Sequence, residues 1–338
     1  MTKRKSAVVA ASFLAAVNLA EAATKALAVE DVKGCLSDTV RTIGVVMPAS
    51  IPAKGVYPQC KALFEKAGYR VKEASRLNFA KVAPIADRVA DFEEMWLDPE
   101  VDLVFCVRGG NGAQDLVDKL DWARLRTRRQ RVLGFSNITW LLNAMLVKDA
   151  GHPISGPSLT QFRYLDRPSL DWLAPALKGG PLPPQRLTAI RPGACRGLPC
   201  GGHIVMLRGM LQRKWLPDAT GRVVFLECSI RHPPAVRDDL DALAASGWLT
   251  NCAGVVFGDI TPGDANRKRL TGAARTAGLA DVARIRRDFA DRVSCPVYEG
   301  FPYGHVPLNF AIDFLREVEI SADGILRFVP KERPCSGD

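Results

Sequence analysis

The stretch from Arg131 to Trp140 is the feature that most limits how this chain can fold. An apolar run typical of a strand stops at Ser136, and a helical pattern begins directly after it. A serine at such a sharp junction holds its hydroxyl clear of the backbone, and the amides that follow can stabilise an anion. Gly134 leaves room for the turn, and the alternative role for Ser136 is a helix N-cap. The pattern consists of the strand residues Val132, Leu133 and Phe135 and the helical series Ile138, Leu141, Leu142, Met145 and Leu146.

An alternation of strands and helices precedes this junction. Apolar strands are predicted at 42–48 and 101–107, and the second runs into the glycine-rich loop 108–112. Such alternation indicates an α/β fold with a parallel sheet covered on both faces by helices. In open sheets of this kind the functional site lies at the carboxyl ends of the strands. Gly110 and Ser136 both follow such ends, which favours a functional serine over a simple helix cap.

Length, composition and charge are those of an ordinary globular protein. The chain has 338 residues, enough for two domains, with 47% hydrophobic and 24% charged residues and a net charge of +10. Part of the positive charge is a run of arginines between 124 and 131 with no aromatic residues interleaved. We interpret this run as a solvated surface and expect no nucleic-acid partner. An anionic substrate or an envelope polymer would suit the charge equally well.

Cysteine and histidine spacing gives no metal or cofactor signal. The nine cysteines contain no CxxC pair, and the four histidines are dispersed without an HExxH sequence. We therefore expect no metal and no cofactor. An odd cysteine count excludes a complete set of intrachain disulfides. If the chain is exported, Cys35 and Cys335 are the pair that we would test for a disulfide.

Residues 1–22 have the layout of a secretory signal peptide. Three basic residues at 3–5 precede an apolar run over 7–20, and Ala20-Glu21-Ala22 matches a cleavage site. The apolar run is too short for a stable membrane anchor, and no other stretch is predicted to span a membrane. These features predict a periplasmic or cell-envelope protein. The alternative is an N-terminal extension of a cytoplasmic protein.

The remaining chain is predicted to form two domains. A nucleophile domain covers 40–160, a linker rich in proline and glycine covers 161–197, and a second α/β domain covers 198–332. In the second domain, Gly201-Gly202-His203 is predicted to open a helix, and an Asp-Gly pair near 324 indicates a hairpin.

Two residues of the second domain are candidates for activating the serine. A serine nucleophile needs a base, and the base needs an orienting acceptor. His305 follows a predicted strand between Gly304 and Val306, and Glu227 ends an apolar strand where an unpaired carboxylate would be costly to bury. The alternatives are that His305 only bonds a backbone carbonyl and that Glu227 pairs with Arg231.

From about residue 42 to the C-terminal hairpin the sequence resembles the serine LD-carboxypeptidases, or murein tetrapeptide carboxypeptidases, and the related microcin-immunity peptidases. Seven short motifs in the same order carry the resemblance. They are Gly44-Val45-Val46-Met47-Pro48-Ala49-Ser50, the segment 98–112 ending in Arg108-Gly109-Gly110-Asn111-Gly112, Gly134-Phe135-Ser136-Asn137-Ile138-Thr139, Gly156-Pro157, Gly201-Gly202, Leu226-Glu227 and Pro302-Tyr303-Gly304-His305.

The resemblance implies a fold, a site and an activity. It implies a flavodoxin-like first domain, a smaller α/β second domain, and a site at their interface with a triad of Ser136, Glu227 and His305. The implied oxyanion donors are the backbone amides of Gly110 and Asn137. The implied reaction is release of terminal D-alanine from a muropeptide. Members of the family are commonly homodimers, so a homodimer is the expectation here.

Three residues depart from the family pattern. Asn137 stands where the family usually has Asp, which we expect to cost a carboxylate contact to the helix or a neighbour. Asn111 replaces a common aromatic residue, and His203 replaces the usual Asn. Two alternatives therefore stay open: a peptidase of the microcin-immunity type acting on another amide, and a muropeptide-binding protein without catalysis.

Overall fold

A computed structural model of the protein describes residues 27–330. Its first sheet has six strands, five of them parallel in the order β2-β1-β3-β4-β5. That order is the flavodoxin-like one, so the predicted α/β fold class is confirmed. The strands are β1 Thr42–Val46, β2 Arg70–Glu73, β3 Leu103–Cys106, β4 Arg131–Gly134 and β5 His152–Ser155. Apart from the edge strand β2, they are buried almost throughout, as expected for strands covered on both faces.

Helices connect these strands and cover the sheet. They are α1 Val29–Val32, α2 Val56–Lys66, α3 Ile85–Leu97, α4 Ala113–Leu116, α5 Trp122–Leu125, α6 Thr139–Val147 and α7 Arg167–Lys178. Helix α3 turns Phe92, Met95 and Trp96 into the core, and the Trp96 indole donates to the carbonyl of Leu125. Helix α6 is buried along nearly its whole length, so the element that follows Ser136 is fixed by packing on all sides.

The second half of the chain forms a five-stranded sheet and a four-stranded sheet. The five-stranded sheet has the order β7-β12-β11-β10-β9, in which β9 to β12 are parallel, and the four-stranded antiparallel sheet has the order β6-β15-β14-β8. The strands are β6 Gln185–Arg186, β7 Thr188–Arg191, β8 Cys195–Gly197, β9 Pro199–His203, β10 Val223–Arg231, β11 Gly254–Pro262, β12 Val297–Glu299, β13 Ile312–Asp313, β14 Val318–Ile320 and β15 Ile325–Phe328. Helices α8 Ile204–Arg213, α9 Pro233–Ala245 and α10 Gly272–Ala290 complete this half.

The segment 161–197 differs from the linker that we predicted. It contains most of the 3₁₀ helix Leu159–Arg163, all of helix α7 and three strands. Trp172 of this helix stacks on Phe310 with ring centroids 4.3 Å apart, and its indole donates to the carbonyl of Ala311. These elements were not predicted because Pro168 and Pro175 lie within the range of the helix and Gly179 ends it, so the sequence has the composition of a loop.

The end of the chain returns to the first sheet. Strand β13 pairs antiparallel with β5, although it lies within the range assigned to the second domain. His152 Nε2 and Asp313 Oδ1 lie 2.6 Å apart across this contact. The predicted hairpin is present, with strands β14 and β15 paired around Gly324 at a φ of +82°.

Other expectations have mixed outcomes. Gly201 and Gly202 lie in strand β9 and not in a helix, while His203 ends this strand and is the N-cap of helix α8, as predicted for the start of that helix. Cys35 is a buried free thiol, while Cys335 and the predicted signal peptide 1–22 lie outside the described residues. Between residues 27 and 330 no helix is both long and apolar enough to cross a membrane.

Candidate active site

Ser136 lies at a strained turn between β4 and α6. Its φ of +65° falls in the left-handed region, which costs a residue with a side chain about 1 kcal/mol or more. The backbone forms a short 3₁₀ helix, Ser136–Ile138, and Ile138 is the residue that precedes α6. The Ser136 side chain caps neither helix, because neither N-terminus has a side-chain cap. The N-cap alternative is therefore not supported, and the hydroxyl is available for another contact.

The glycine loop after β3 packs directly against this turn. Strands β3 and β4 are neighbours in the sheet, so the segments that follow them meet at one edge. A Cβ atom added to Gly109 would lie 2.7 Å from Ser136 Cβ and 3.1 Å from the Asn137 nitrogen. Gly110 has a φ of +108°, and an added Cβ there would lie 2.4 Å from Ser50 Oγ. Both positions therefore require glycine, and the loop passes close to the Ser136 turn and to the backbone nitrogen of Asn137.

The side chain of Asn137 holds the turn to helix α4. Its Oδ1 accepts a 2.8 Å hydrogen bond from the backbone N–H of Ala113, and its Nδ2 donates to Gln114 Oε1. We expected the change from Asp to Asn to cost a carboxylate contact to the helix or a neighbour. The uncharged amide oxygen of Asn137 still accepts a hydrogen bond from helix α4, of the kind that a carboxylate would accept.

Glu227 enters the site from the second sheet. It lies on β10, is fully buried, and accepts a 2.8 Å hydrogen bond at Oε2 from His305 Nδ1. Arg231, the alternative partner considered for Glu227, binds Asp239 instead. Burial raises the pKa of the Glu227 carboxyl, but its interaction with His305, which includes a hydrogen bond, and the nearness of His203 outweigh the effect of burial, so the net pKa is lowered. Glu227 is thus an ionised carboxylate at neutral pH.

His305 connects the two halves of the molecule. Its Nε2 lies 3.0 Å from Ser136 Oγ, while its Nδ1 contacts Glu227, so a neutral imidazole accepts from the hydroxyl and donates to the carboxylate. Gly304, at a φ of +131°, lets the chain pass close to Glu227, because an added Cβ would lie 3.1 Å from Oε2. The Phe135 ring packs on the imidazole with centroids 4.6 Å apart. The three residues therefore have the connectivity of a serine, base and acid triad.

A cleft opens beside Ser136. Its wall is formed largely by the first half of the chain, including the glycine loop and the 3₁₀ helix Leu159–Arg163, and His305 closes one side. Two arginines line it, Arg108 and Arg163, and Arg108 also donates to the Ile51 carbonyl. Tyr164 lines the same wall, and its phenol is close enough to Arg163, Arg108 and Arg269 for each of them to lower its pKa, although burial raises that pKa overall. The cleft beside the serine is therefore lined by positive charge.

His203 is a further residue of the site. Its side chain is buried, and its ring lies edge-on to the His305 ring at 5.5 Å between centroids. One group of three side chains within residues 27–330 has its possible metal-ligating atoms all within 4.8 Å of one another. The group consists of His203, Glu227 and His305. The sequence showed no such cluster, because 24 and 78 residues separate the three along the chain. Both nitrogens of His305 are already bonded, so a metal ion would have to displace a bond of the triad.

Comparison with known proteins gives the class and then the family. Residues 43–153 match the LD-carboxypeptidase N-terminal domain, and residues 196–320 match the LD-carboxypeptidase C-terminal domain. The matched architecture is that of peptide-hydrolysing carboxypeptidases. The chain belongs to the LD-carboxypeptidase family.

Three similar proteins illustrate the range of the family. A putative carboxypeptidase of Streptomyces coelicolor is 30% identical over 247 residues, which is 70% of this chain and 74% of that protein. A probable murein peptide carboxypeptidase of Bacillus subtilis is 26% identical over 80% of this chain and 86% of its own. The solved structure of the microcin C7 self-immunity protein MccF in complex with aspartyl sulfamoyl adenosine superposes with a TM-score of 0.69 at 17% identity, covering 87% of this chain and 97% of the other.

Proposed function

We propose that the protein is a serine-type LD-carboxypeptidase that releases terminal D-alanine from murein tetrapeptides, in peptidoglycan recycling or remodelling. The observation that carries this proposal is the continuous chain of hydrogen bonds from Ser136 through His305 to Glu227. It lies beside a positively lined cleft in a member of the LD-carboxypeptidase family. The similarity to a murein peptide carboxypeptidase supports the choice of substrate.

The proposed reaction begins with attack by Ser136 on the carbonyl that joins an L-centre, lysine or meso-diaminopimelate, to the terminal D-alanine. His305 Nε2 accepts the hydroxyl proton, and Glu227 holds the imidazole in the required tautomer and stabilises the imidazolium. The Gly110 and Asn137 amides bind the oxyanion, an effect worth about 3–4 kcal/mol per donor in comparable sites. His305 then protonates the departing amine of D-alanine. A water molecule, deprotonated by the same histidine, hydrolyses the acyl-enzyme.

A carboxypeptidase also has to bind the terminal carboxylate of its substrate. We assign this role to Arg108 and Arg163, because both line the cleft that contains Ser136. The Arg163 guanidinium carbon lies 5.8 Å from the centre of the Tyr164 ring, so this arginine lies beside another residue of the same cleft. Arg108 is half-buried and anchored to the Ile51 carbonyl, whereas Arg163 is exposed at the mouth. An arginine fork binds a carboxylate through two parallel hydrogen bonds.

The proposed site of action is the periplasm or cell envelope. Export rests on the signal-peptide pattern of residues 1–22, and an envelope substrate suits the net charge of +10. We propose a homodimer on the family pattern. Edman or mass analysis of the secreted chain would locate the mature N-terminus, and sedimentation would give the oligomeric state.

The decisive experiment is mass analysis of murein tetrapeptide incubated with the purified protein and with Ser136→Ala. We expect the tetrapeptide to lose one alanine with the wild type only. If two folded proteins both release nothing, the murein assignment is wrong. Equal release by both would mean that Ser136 is not the nucleophile.

A second candidate substrate is a peptidyl or aminoacyl nucleotide of the microcin type. The similarity to MccF bound to aspartyl sulfamoyl adenosine favours it, and arginines in the cleft would suit an anionic or polar nucleotide part. Incubation with aspartyl sulfamoyl adenosine beside murein tetrapeptide separates the two candidates. Hydrolysis of the nucleotide alone would replace the murein assignment with this one.

A further inference from the structure

We propose that His203 is a positioning residue that donates a hydrogen bond from Nδ1 to Glu227 Oε1, so that the catalytic carboxylate is held between two imidazoles. The inference rests on the proposed function of Ser136, Glu227 and His305. It concerns how that site is held in place, whichever amide is the substrate.

The backbone places the two side chains next to each other. His203 ends β9 and Glu227 lies on β10, and the two are register partners in this parallel pair. Side chains at paired positions of neighbouring strands lie on the same face of a sheet. The backbone N–H of His203 donates to Thr139 Oγ1 at 3.1 Å, which fixes the histidine to the first turn of α6. Its position is therefore coupled to the helix that directly follows the Ser136 turn.

The hydrogen bonds of the ring identify its tautomer. Ser229 donates its backbone N–H to His203 Nε2 at 3.2 Å, and a backbone N–H can only donate. Nε2 is therefore the acceptor, and the proton of a neutral ring lies on Nδ1. Burial lowers the pKa of His203 to about 4, so the ring is neutral near pH 7. Nδ1–H is thus a donor that faces the interior.

Two buried polar atoms in this region have no hydrogen-bond partner among the described residues. They are His203 Nδ1, a donor, and Glu227 Oε1, an acceptor that carries negative charge. Buried polar groups are rarely left unpaired, because each loses its bonds to water. The two side chains belong to the group whose ligating atoms lie within 4.8 Å of one another. The unpaired donor and the unpaired acceptor therefore belong to neighbouring side chains, and a small rotation of these side chains would let the two atoms meet.

The bond would fix the orientation of the Glu227 carboxylate toward His305. With Oε1 bound to His203, Oε2 is aimed at His305 Nδ1, at 2.8 Å. A neutral donor stabilises the charge of Glu227 without adding a positive charge that would compete with the imidazolium. The other charged groups near His203 are His305, Arg267 and Arg231. Loss of the donor makes the pair of Glu227 and His305 easier to protonate, so the acid limb of the activity profile moves to higher pH.

Two substitutions of His203 distinguish the effect of the Nδ1 donor from the effect of the rest of the ring. Asn places its amide nitrogen near the Nδ1 position, so His203→Asn keeps a donor toward Glu227. Gln places its amide group near the Nε2 position, so His203→Gln keeps a polar group toward Ser229 and loses the Nδ1 donor. The readout is the rate at which a fluorophosphonate probe labels Ser136, because this rate requires the triad and no peptide substrate.

We expect His203→Gln to slow labelling by about 10- to 100-fold and to move its acid limb to higher pH, and His203→Asn to stay within about 3-fold of wild type. In a Glu227→Gln background, His203→Gln should cause no further loss. Wild-type labelling by a folded His203→Gln protein would overturn the proposal, as would equal losses in both variants. If the labelling rates of the variants change as expected but the wild type releases no D-alanine, the substrate assignment is wrong and the role of His203 is still supported.

Discussion

The two sides of the cleft are built in different ways. Ser136, Asn137 and Gly110 follow two adjacent strands of the first sheet and lie within 28 residues of one another. Glu227 and His305 are 78 residues apart, and His305 is 169 residues from the serine it contacts. The nucleophile side is therefore formed by residues that are close in sequence. The acid–base side forms only when the strands of the second sheet pair correctly and the loop after them is in place. The difference implies that substitutions on the two sides should fail in different ways.

The largest effect is expected for the residue that joins the two sides. His305→Gln should lower the rate of D-alanine release by about 10⁴- to 10⁶-fold, because Ser136 loses its base. The Ser136→Ala/His305→Gln double variant should be no slower than either single variant, since the residues act as one unit. The exposed His232 offers a matched control, and His232→Gln should keep the wild-type rate. Additive losses in the double variant would show that the two residues act separately.

Glu227→Gln should have the next largest effect. An amide cannot stabilise the imidazolium as a carboxylate does, so we expect kcat to fall by about 10³- to 10⁴-fold with a smaller change in KM. Steady-state kinetics on murein tetrapeptide measure this directly. A variant that binds substrate normally and loses less than about tenfold in kcat would remove Glu227 from the triad.

On the nucleophile side, Gly110→Ala should lower kcat by about 10²- to 10³-fold through displacement of an oxyanion donor. The new Cβ would lie 2.4 Å from Ser50 Oγ, and the φ of +108° is unfavourable for alanine. Gly68→Ala is the matched control, because Gly68 has a φ of +95° with no atom within 4 Å of an added Cβ. Gly68→Ala should lose about 1–2 kcal/mol of unfolding free energy and keep its activity, whereas Gly110→Ala should lose more stability because of the added clash and should also lose activity. Equal kcat in both variants would contradict the oxyanion assignment.

The acid–base side should also make stability depend on pH. The pKa of His203 is about 4 in the folded protein and 6.5 as its ordinary value, so between these pH values the unfolded chain binds a proton that the folded chain does not. This contribution to the unfolding free energy is fully present above about pH 6.5 and is lost as the pH falls toward 4, by about 3 kcal/mol. Urea denaturation at pH 7 and pH 4.5 should show a larger loss for the wild type than for His203→Asn. Equal losses would mean that His203 is not buried as a neutral ring.

The smallest effect tests the strained turn itself. Ser136→Gly should be more stable than Ser136→Ala by about 1 kcal/mol, because glycine adopts a φ of +65° without steric cost. Both variants lack the hydroxyl, so the difference in their urea midpoints measures the cost of the backbone conformation at residue 136. A more stable Ser136→Ala would show that the turn carries no strain.

The same contrast explains which parts of the molecule could be predicted from the sequence. The alternation of the first four strands with helices and the position of Ser136 follow from hydrophobic periodicity and from the nearby glycines, whereas the flavodoxin-like order was implied by the family resemblance. The loop that carries His305 has no periodicity, and its place beside Ser136 depends on the pairing of β10, β11 and β12. The local sequence made Glu227 and His305 candidates, and the family resemblance implied their assignment to one triad with Ser136.

The errors of prediction have physical causes as well. Helix α7 was not predicted because it contains two prolines, although its side chains Leu170, Trp172 and Leu173 are buried. Gly201 and Gly202 were placed at a helix start, whereas they lie in a buried strand and His203 is the N-cap of the helix that follows. The position of His203 beside Glu227 depends on strand register, which no single segment reveals. The role of Arg163 in the cleft is likewise a product of the fold, since nothing around it in the sequence distinguishes it from other arginines.

The central claim is that residues from both halves of the chain activate Ser136, and covalent labelling tests it most directly. The protein would be treated with a fluorophosphonate probe, its intact mass measured, and the modified peptide mapped for the wild type, Ser136→Ala and His305→Gln. We predict a single adduct on Ser136 in the wild type, none in Ser136→Ala, and labelling of His305→Gln slower by about a thousandfold or more. An adduct on another residue, or an equal labelling rate in His305→Gln, would contradict the account.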